Sequence, residues 1–119
     1  MKTRKAILDF QYSEKMKSGL IIGTQLLYQM ESLKKDEEFA GGKLVLIWYL
    51  EGLLREMRIA KTVVGLDHFD DLERKVMEII GRLQMSQFQE AQNTFSEAIS
   101  LSTTSCQVSM ADLMEKKLI

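Results

Sequence analysis

The first apolar pattern in the chain is a stripe that follows one face of an α-helix. Its members recur three or four positions apart, at Tyr12, Met16, Leu20, Gly23, Leu27, Met30 and Leu33. Residues at this spacing lie on one side of a helix, and polar residues fill most of the positions between them. The pattern predicts a helix that begins near residue 6 or residue 12 and ends near residue 38. Residues 1–11 are then either an N-terminal arm or the start of this helix.

A second and more regular stripe predicts a second helix. Its members have the spacing of a heptad, at Leu46, Leu50, Leu53, Met57, Ala60 and Val64. Just before it lie Gly41 and Gly42, and because paired glycines end helices readily, we expect the first turn there. Residues 44–50 are apolar on every side, which leaves a β-strand as an alternative. The helix is favoured because its phase continues to Val64, so residues 12–64 are predicted to form a helical hairpin.

Helical spacing continues in the second half of the chain. Gly65 is predicted to end the second helix, and Asp67 is a suitable N-cap for the next one. The apolar residues that follow lie on one helix face, at Phe69, Leu72, Val76, Ile79 and Leu83. A third helix is therefore expected to begin near Asp67.

The number of helices after residue 67 is left open by the sequence. The apolar stripe changes phase near residue 85, where Ser86 and Gln89 have the spacing of a capping box. Residues 67–102 are therefore either a helical hairpin or one bent helix. Serine and threonine are dense between residues 100 and 109, which predicts a loop or a fraying end. Residues 103–119 are interpreted as a tail that contains a short helix at most.

Together these patterns predict one all-α domain over residues 1–119, an antiparallel helical bundle of three to four main helices. The 119 residues are enough for one domain, and the absence of proline permits long helices. Eight methionines and regular apolar stripes favour helix–helix interfaces, so we expect a homodimer or a higher oligomer. Gly19 and Gly23, one turn apart, indicate close approach of another helix, because each costs a helix about 1 kcal/mol relative to alanine. The predicted interface comprises Met16, Gly19, Leu20, Gly23, Leu27, Met30, Trp48 and Met57.

Charge and cysteine content restrict the partners and the location. The formal net charge is −1, with 16 basic and 17 acidic residues, so no overall field attracts nucleic acid or anionic lipid. The apolar run at residues 44–50 is far shorter than the roughly 20 residues of a membrane-spanning helix. The single cysteine, Cys106, allows no intrachain disulfide and has no histidine near it in sequence. We expect a cytoplasmic protein that needs no cofactor and does not bind membranes.

An acidic cluster after residue 66 is the densest candidate for chemistry. The candidate metal ligands are Asp67, His68, Asp70 and Asp71, with Glu51 or Glu56 contributed by the preceding helix. The alternative interpretation, which we favour, is that these carboxylates cap a helix and face the positive end of its dipole. The chain has one histidine, so a di-iron site with two Glu-x-x-His motifs is excluded.

A short basic stripe is the other candidate site. Arg55, Arg58 and Lys61 are spaced three residues apart and could bind an anion. Glu51 and Glu56 flank this stripe, and Glu51 is placed to pair with Arg55, which favours a solvated helix face. The sequence therefore predicts a non-enzymatic helical interaction protein, such as a small subunit, an adaptor or a self-assembling scaffold. Its expected partners are other copies of itself and another protein. A small metal-dependent enzyme that uses the acidic cluster is the alternative, and a nucleic-acid-binding regulator that uses the basic stripe is a third hypothesis.

Overall fold

Four helices make up the computed structural model, which describes residues 3–65 and 68–118. They are α1 (Thr3–Glu31), α2 (Asp36–Val64), α3 (His68–Gln84) and α4 (Phe88–Glu115). No strand occurs in the described ranges. The prediction of an all-α chain is therefore confirmed, and the alternative that residues 44–50 form a strand is wrong, because they lie inside α2.

Each helix packs against two others. α1 contacts α2 and α4, and α3 also contacts α2 and α4. The described part of the chain is elongated, with extents of 54 × 22 × 17 Å. The apolar core runs along the inner faces of the helices, and its largest fully buried side chains are Phe69, Phe95, Met16, Leu20, Leu27, Leu46, Leu50, Met57, Leu72, Ile79, Leu83 and Val76.

The first turn lies earlier than the glycine pair that was predicted to form it. α1 ends at Glu31, residues 32–35 connect it to α2, and Gly41 and Gly42 both lie inside α2. The three acidic residues 36–38 occupy the first turn of α2, where the helix dipole favours negative charge. A methyl group on Gly42 would lie 3.1 Å from Cγ of Met30, so this glycine permits close packing and does not end a helix.

Both ends of the chain are more helical than predicted. Residues 3–11 belong to α1, so they are the start of the helix and no separate arm. Residues 100–109, predicted as a loop or a fraying end, and most of the predicted tail lie inside α4. Serine and threonine can be accommodated in a helix when their hydroxyl groups bond to the carbonyl oxygen of the preceding turn. Thr104 donates to the carbonyl oxygen of Ser100 at 3.0 Å, and Ser105 donates to that of Leu101 at 3.2 Å.

The region after residue 67 forms two helices and not one bent helix. The chain turns at residues 85–87, where Ser86 has a left-handed backbone with φ 58°. Gln87 is the N-cap of α4 and makes no side-chain cap hydrogen bond, so the predicted capping box of Ser86 and Gln89 does not form. Gly65 ends α2 as predicted, with φ 70° and its N–H donating to the carbonyl oxygen of Lys61. The predicted cap residue Asp67 lies outside the described residues.

A search of the helices in the described ranges for a membrane-spanning segment finds none with the required length and apolarity.

Candidate interaction surface

Most residues of the predicted interface lie inside the chain's own core. Five of the eight side chains are almost completely buried, those of Met16, Leu20, Leu27, Met30 and Met57, and Gly23 is buried as well. The apolar stripes that predicted an interface are therefore the inner faces of α1 and α2. A contact between folded chains cannot include these five side chains unless the core opens. Trp48 is different, because 56% of it is exposed.

The two glycines of α1 also pack within the chain. A methyl group on Gly19 would lie 2.6 Å from Cδ1 of Leu53, and the hydroxyl of Tyr49 donates to the carbonyl oxygen of Gly19 at 2.6 Å. A methyl group on Gly23 would lie 2.8 Å from Cε1 of Phe95. The close approach that the glycine pair indicated is thus made by α2 on one side and by α4 on the other.

The outward side of α2 carries large apolar residues that remain about half exposed. We call this surface the α2 outer face and define it by five side chains that are each 45–58% exposed: Leu44, Val45, Trp48, Ile59 and Val63. Gly52 and Arg55 lie between them on the same side of the helix. Two sets of positions on this face repeat every seven residues, which is the spacing of a helix–helix seam. One set is positions 45, 52 and 59, and the other is positions 48 and 55.

An apolar groove extends this surface toward α1. It has a volume of about 320 Å³ and is lined by Leu26, Gln29, Met30, Leu33, Gly41, Gly42, Val45 and Leu46. Val45 belongs both to the groove and to the α2 outer face. Large apolar areas at the surface of a protein commonly mark sites of protein–protein contact. Here the exposed apolar side chains extend from Leu44 to Val63 of a 29-residue helix, with Gly52 and Arg55 between them.

Ion pairs border the α2 outer face on its two sides. Lys15 of α1 lies 2.8 Å from Glu56, and on the other side Arg58 lies 3.6 Å from Glu73 of α3. Lys61 donates to Asp70 at 2.7 Å, and this contact raises the pKa of Lys61 above its usual value. Two of the three residues of the predicted anion-binding stripe thus face carboxylates of their own chain. These contacts attach α1 and α3 to the flanks of α2.

The predicted metal ligands do not come together in the described part of the chain. Asp70 pairs with Lys61, Asp71 pairs with Arg74, and Glu56 pairs with Lys15. Glu51 is exposed on α2, and Asp67 lies outside the described residues. Over residues 3–65 and 68–118, no group of three or more His, Cys, Asp or Glu side chains could hold a metal ion. Three of the carboxylates that the metal hypothesis requires are thus paired with cations, Asp71 with one on its own helix and Asp70 and Glu56 with ones on an adjacent helix.

A buried polar cluster joins α1, α3 and α4 around Asp9. The Asp9 carboxylate is 1% exposed and lies 2.7 Å from Nε2 of His68. Ser13 donates to Oδ1 of Asp9 at 3.3 Å, and Ser109 donates to Oδ2. Burial by itself raises the pKa of Asp9, but the hydrogen bonds from His68 and Ser109 and the charge of His68 outweigh it, so the pKa lies below its usual value. The cluster holds an ionised carboxylate in the interior.

The arrangement of this cluster serves to connect helices and not to activate a nucleophile. In a serine nucleophile triad the imidazole lies between the hydroxyl and the carboxylate and takes the proton of the hydroxyl. Here the carboxylate lies between Ser109 and His68. Sequence reasoning missed the cluster, although one signal was present: Asp9 and Ser13 continue the phase of the apolar stripe at Met16 and Leu20 toward the N-terminus.

Cys106 is expected to react very slowly in the folded protein. Its side chain is 6% exposed, and burial together with the negative charge and hydrogen bond of Glu14 raises the pKa of the thiol to about 11. Because the thiolate is the reactive form, alkylation by iodoacetamide at pH 8 should be about a hundredfold slower than in the unfolded chain. Mass spectrometry of samples taken over time, with and without about 6 M guanidinium chloride to unfold the chain, measures both rates. Similar rates in the two conditions would contradict the buried, protonated thiol.

Comparison with protein-family models, with curated proteins and with solved structures finds no match for this chain. Functional inference therefore depends on its own surfaces.

Proposed function

We propose that this chain is a non-enzymatic helical interaction protein that binds another protein chain through the α2 outer face. The observation that carries the proposal is the row of half-exposed large apolar side chains on one side of α2, from Leu44 to Val63. Removing such a side chain from water contributes about 1 kcal/mol or more to binding. Tryptophan is also enriched among the residues that contribute most to binding at protein interfaces, and Trp48 is 56% exposed on the α2 outer face.

The proposed scaffold is an antiparallel four-helix bundle. This is supported by the order of contacts, in which each helix packs on the next and α1 also packs on α4. It is further supported by connections as short as residues 32–35 and 85–87, which favour opposite directions for consecutive helices. In such a bundle one side of every helix faces outward, so α2 can present its outer face without any change of the core. The single free cysteine suits a reducing compartment, which supports a cytoplasmic location.

A photo-crosslinker tests whether the α2 outer face contacts another protein in cells. A benzoylphenylalanine in place of Trp48 is expected to give a covalent product on irradiation. The same group in place of Met77, which is 50% exposed on α3, serves as the matched control and is expected to give little product. The two positions differ little in exposure, so the difference reports the surface and not solvent access. An absence of product from position 48, or equal yields from both positions, would overturn the proposal.

A further inference from the structure

We infer that the α2 outer face binds a second copy of this chain, with the two α2 helices packed side by side in antiparallel orientation. The inference rests on the proposed function, because it names the partner of the same surface. Three features of α2 support it: the fit of side-chain sizes across a two-fold axis, the pairing of charges at the edge, and a glycine that the packing within one chain does not explain.

When two copies of the chain are related by a two-fold axis, large side chains on the α2 outer face of one copy meet smaller side chains on the same face of the other. The heptad seam consists of positions 45, 52 and 59 together with positions 48 and 55. Two antiparallel copies of α2 can be placed side by side so that the two seams meet along their length. In that register Trp48 faces Ile59 of the second copy, and Val45 lies next to Val63 of the second copy. Gly52 faces Arg55, so the longest side chain of the seam meets the position that has no side chain. Each of these contacts occurs twice, as a closed two-fold dimer requires.

Charges at the edge of the seam are complementary in the same register. Glu51 and Arg58 lie on the side of α2 that faces α3, seven residues apart on one edge of the seam. When two α2 helices are antiparallel, Glu51 of each copy lies beside Arg58 of the other. Nε of Arg58 already faces Glu73 at 3.6 Å, but a guanidinium has five N–H donors and can bind a second carboxylate. Two opposite-charge pairs therefore favour this orientation and register.

Gly52 is a glycine of α2 that close packing within the chain does not explain, and Gly41, in the second turn of the helix, is another. Methyl groups on Gly19, Gly23 and Gly42 would each come within 3.1 Å of a side chain of another helix. A methyl group on Gly52 would meet only the flexible guanidinium of Arg55, at 3.7 Å. Glycine at a helical position is unfavourable relative to alanine, so its presence in the middle of an exposed apolar seam calls for a reason. Close approach of a second α2 near the two-fold axis supplies one.

Light scattering behind a sizing column tests the dimer directly. The purified full chain is expected to have twice its monomer mass of 13.7 kDa and to dissociate on dilution. Trp48 is the only tryptophan, so its emission should shift to longer wavelength over the same dilution range as it becomes more exposed to water. A monomeric mass at all concentrations with constant emission would overturn the inference.

Charge exchange tests the register and the orientation. Each single variant, Glu51→Arg and Arg58→Glu, puts like charges together twice per dimer and should weaken dimerisation about tenfold or more. Mixing the two variants, or combining both substitutions in one chain, restores opposite charges and should restore the dimer. This recovery cannot come from a variant that fails to fold. A dimer that neither single variant weakens, or that the combination does not restore, would overturn the proposed arrangement.

The two proposals fail in distinguishable ways. Crosslinked product from position 48 with the mass of two chains supports both of them. Product of a different mass, from a protein that is monomeric by light scattering, keeps the interaction function and overturns the second copy as partner. An absence of any product from position 48 in cells overturns the interaction function, and a monomeric mass in solution would then overturn the dimer independently.

Discussion

Replacement of Asp9 by alanine is expected to lower the free energy of unfolding by about 3 kcal/mol at pH 7. The carboxylate is almost completely buried and accepts hydrogen bonds from Ser13 and Ser109, with His68 at 2.7 Å. Its removal leaves these three polar side chains without their common partner in the interior. Because the cluster joins α1, α3 and α4, the loss affects three helices at once. Urea unfolding followed by the helical circular dichroism signal measures the effect.

A conservative variant separates the charge of Asp9 from its shape. The pKa of Asp9 is below its usual value in the folded chain, so the carboxylate stabilises the fold above the pKa of the unfolded state. That contribution is lost as the pH falls through the pKa of the folded state. Asp9→Asn should therefore be less stable than the wild type at pH 7, and the difference should shrink below about pH 4. A difference that is equal at pH 7 and pH 3 would contradict an ionised Asp9.

A surface carboxylate provides the control for Asp9. Asp71 pairs with Arg74 one turn away on α3, and both side chains are well exposed. Exposed ion pairs contribute little, so Asp71→Ala should cost at most about 1 kcal/mol. A loss for Asp71→Ala as large as that for Asp9→Ala would mean that burial of the cluster is not the cause.

The second large effect is expected at Gly23, where alanine should destabilise the protein although alanine is the better helix former. The added methyl group would lie 2.8 Å from Cε1 and 3.1 Å from Cζ of Phe95, a ring that is completely buried and cannot move aside easily. Overpacking of this kind costs about 1–3 kcal/mol, against a gain of about 1 kcal/mol from helix propensity. We expect a net loss of about 1–2 kcal/mol in urea unfolding.

Gly81 is the matched control for this substitution. It is also inside a helix, and nothing lies within 4 Å of the position that a methyl group would occupy. Gly81→Ala should therefore stabilise the protein by up to about 1 kcal/mol. Equal effects of alanine at the two positions would contradict the close approach of α1 and α4 at Gly23.

The inner faces of the helices could be predicted from the sequence because helical periodicity is a local property. Apolar residues three and four positions apart share one side of a helix whatever surrounds them. The stripes from Met16 to Met30 and from Leu46 to Val64 are indeed buried. Their role as an interface between copies was a separate prediction, and periodicity alone cannot distinguish the core of one chain from a contact between two chains.

The position of the first turn was predicted wrongly because glycine has more than one use in a helical protein. Gly41 and Gly42 have the composition of a helix end, but Gly42 faces Met30 and allows α1 and α2 to approach. Likewise, the serines and threonines after residue 100 resemble a loop in composition. They lie in a helix, where the hydroxyls of Thr104 and Ser105 bond to the preceding turn and that of Ser109 bonds to Asp9.

The sequence by itself determined that this protein is helical and that the apolar stripes from Met16 to Met30 and from Leu46 to Val64 share one side of their helices, since both follow from local spacing. The tertiary structure alone decided that Ser109 meets Asp9 across 100 positions, and that Trp48 and its neighbours on α2 remain outside the core. These outcomes depend on which helix packs on which, and that depends on the balance of all contacts at once. A buried polar cluster and an exposed apolar face are therefore properties of the assembled helices and not of any one segment.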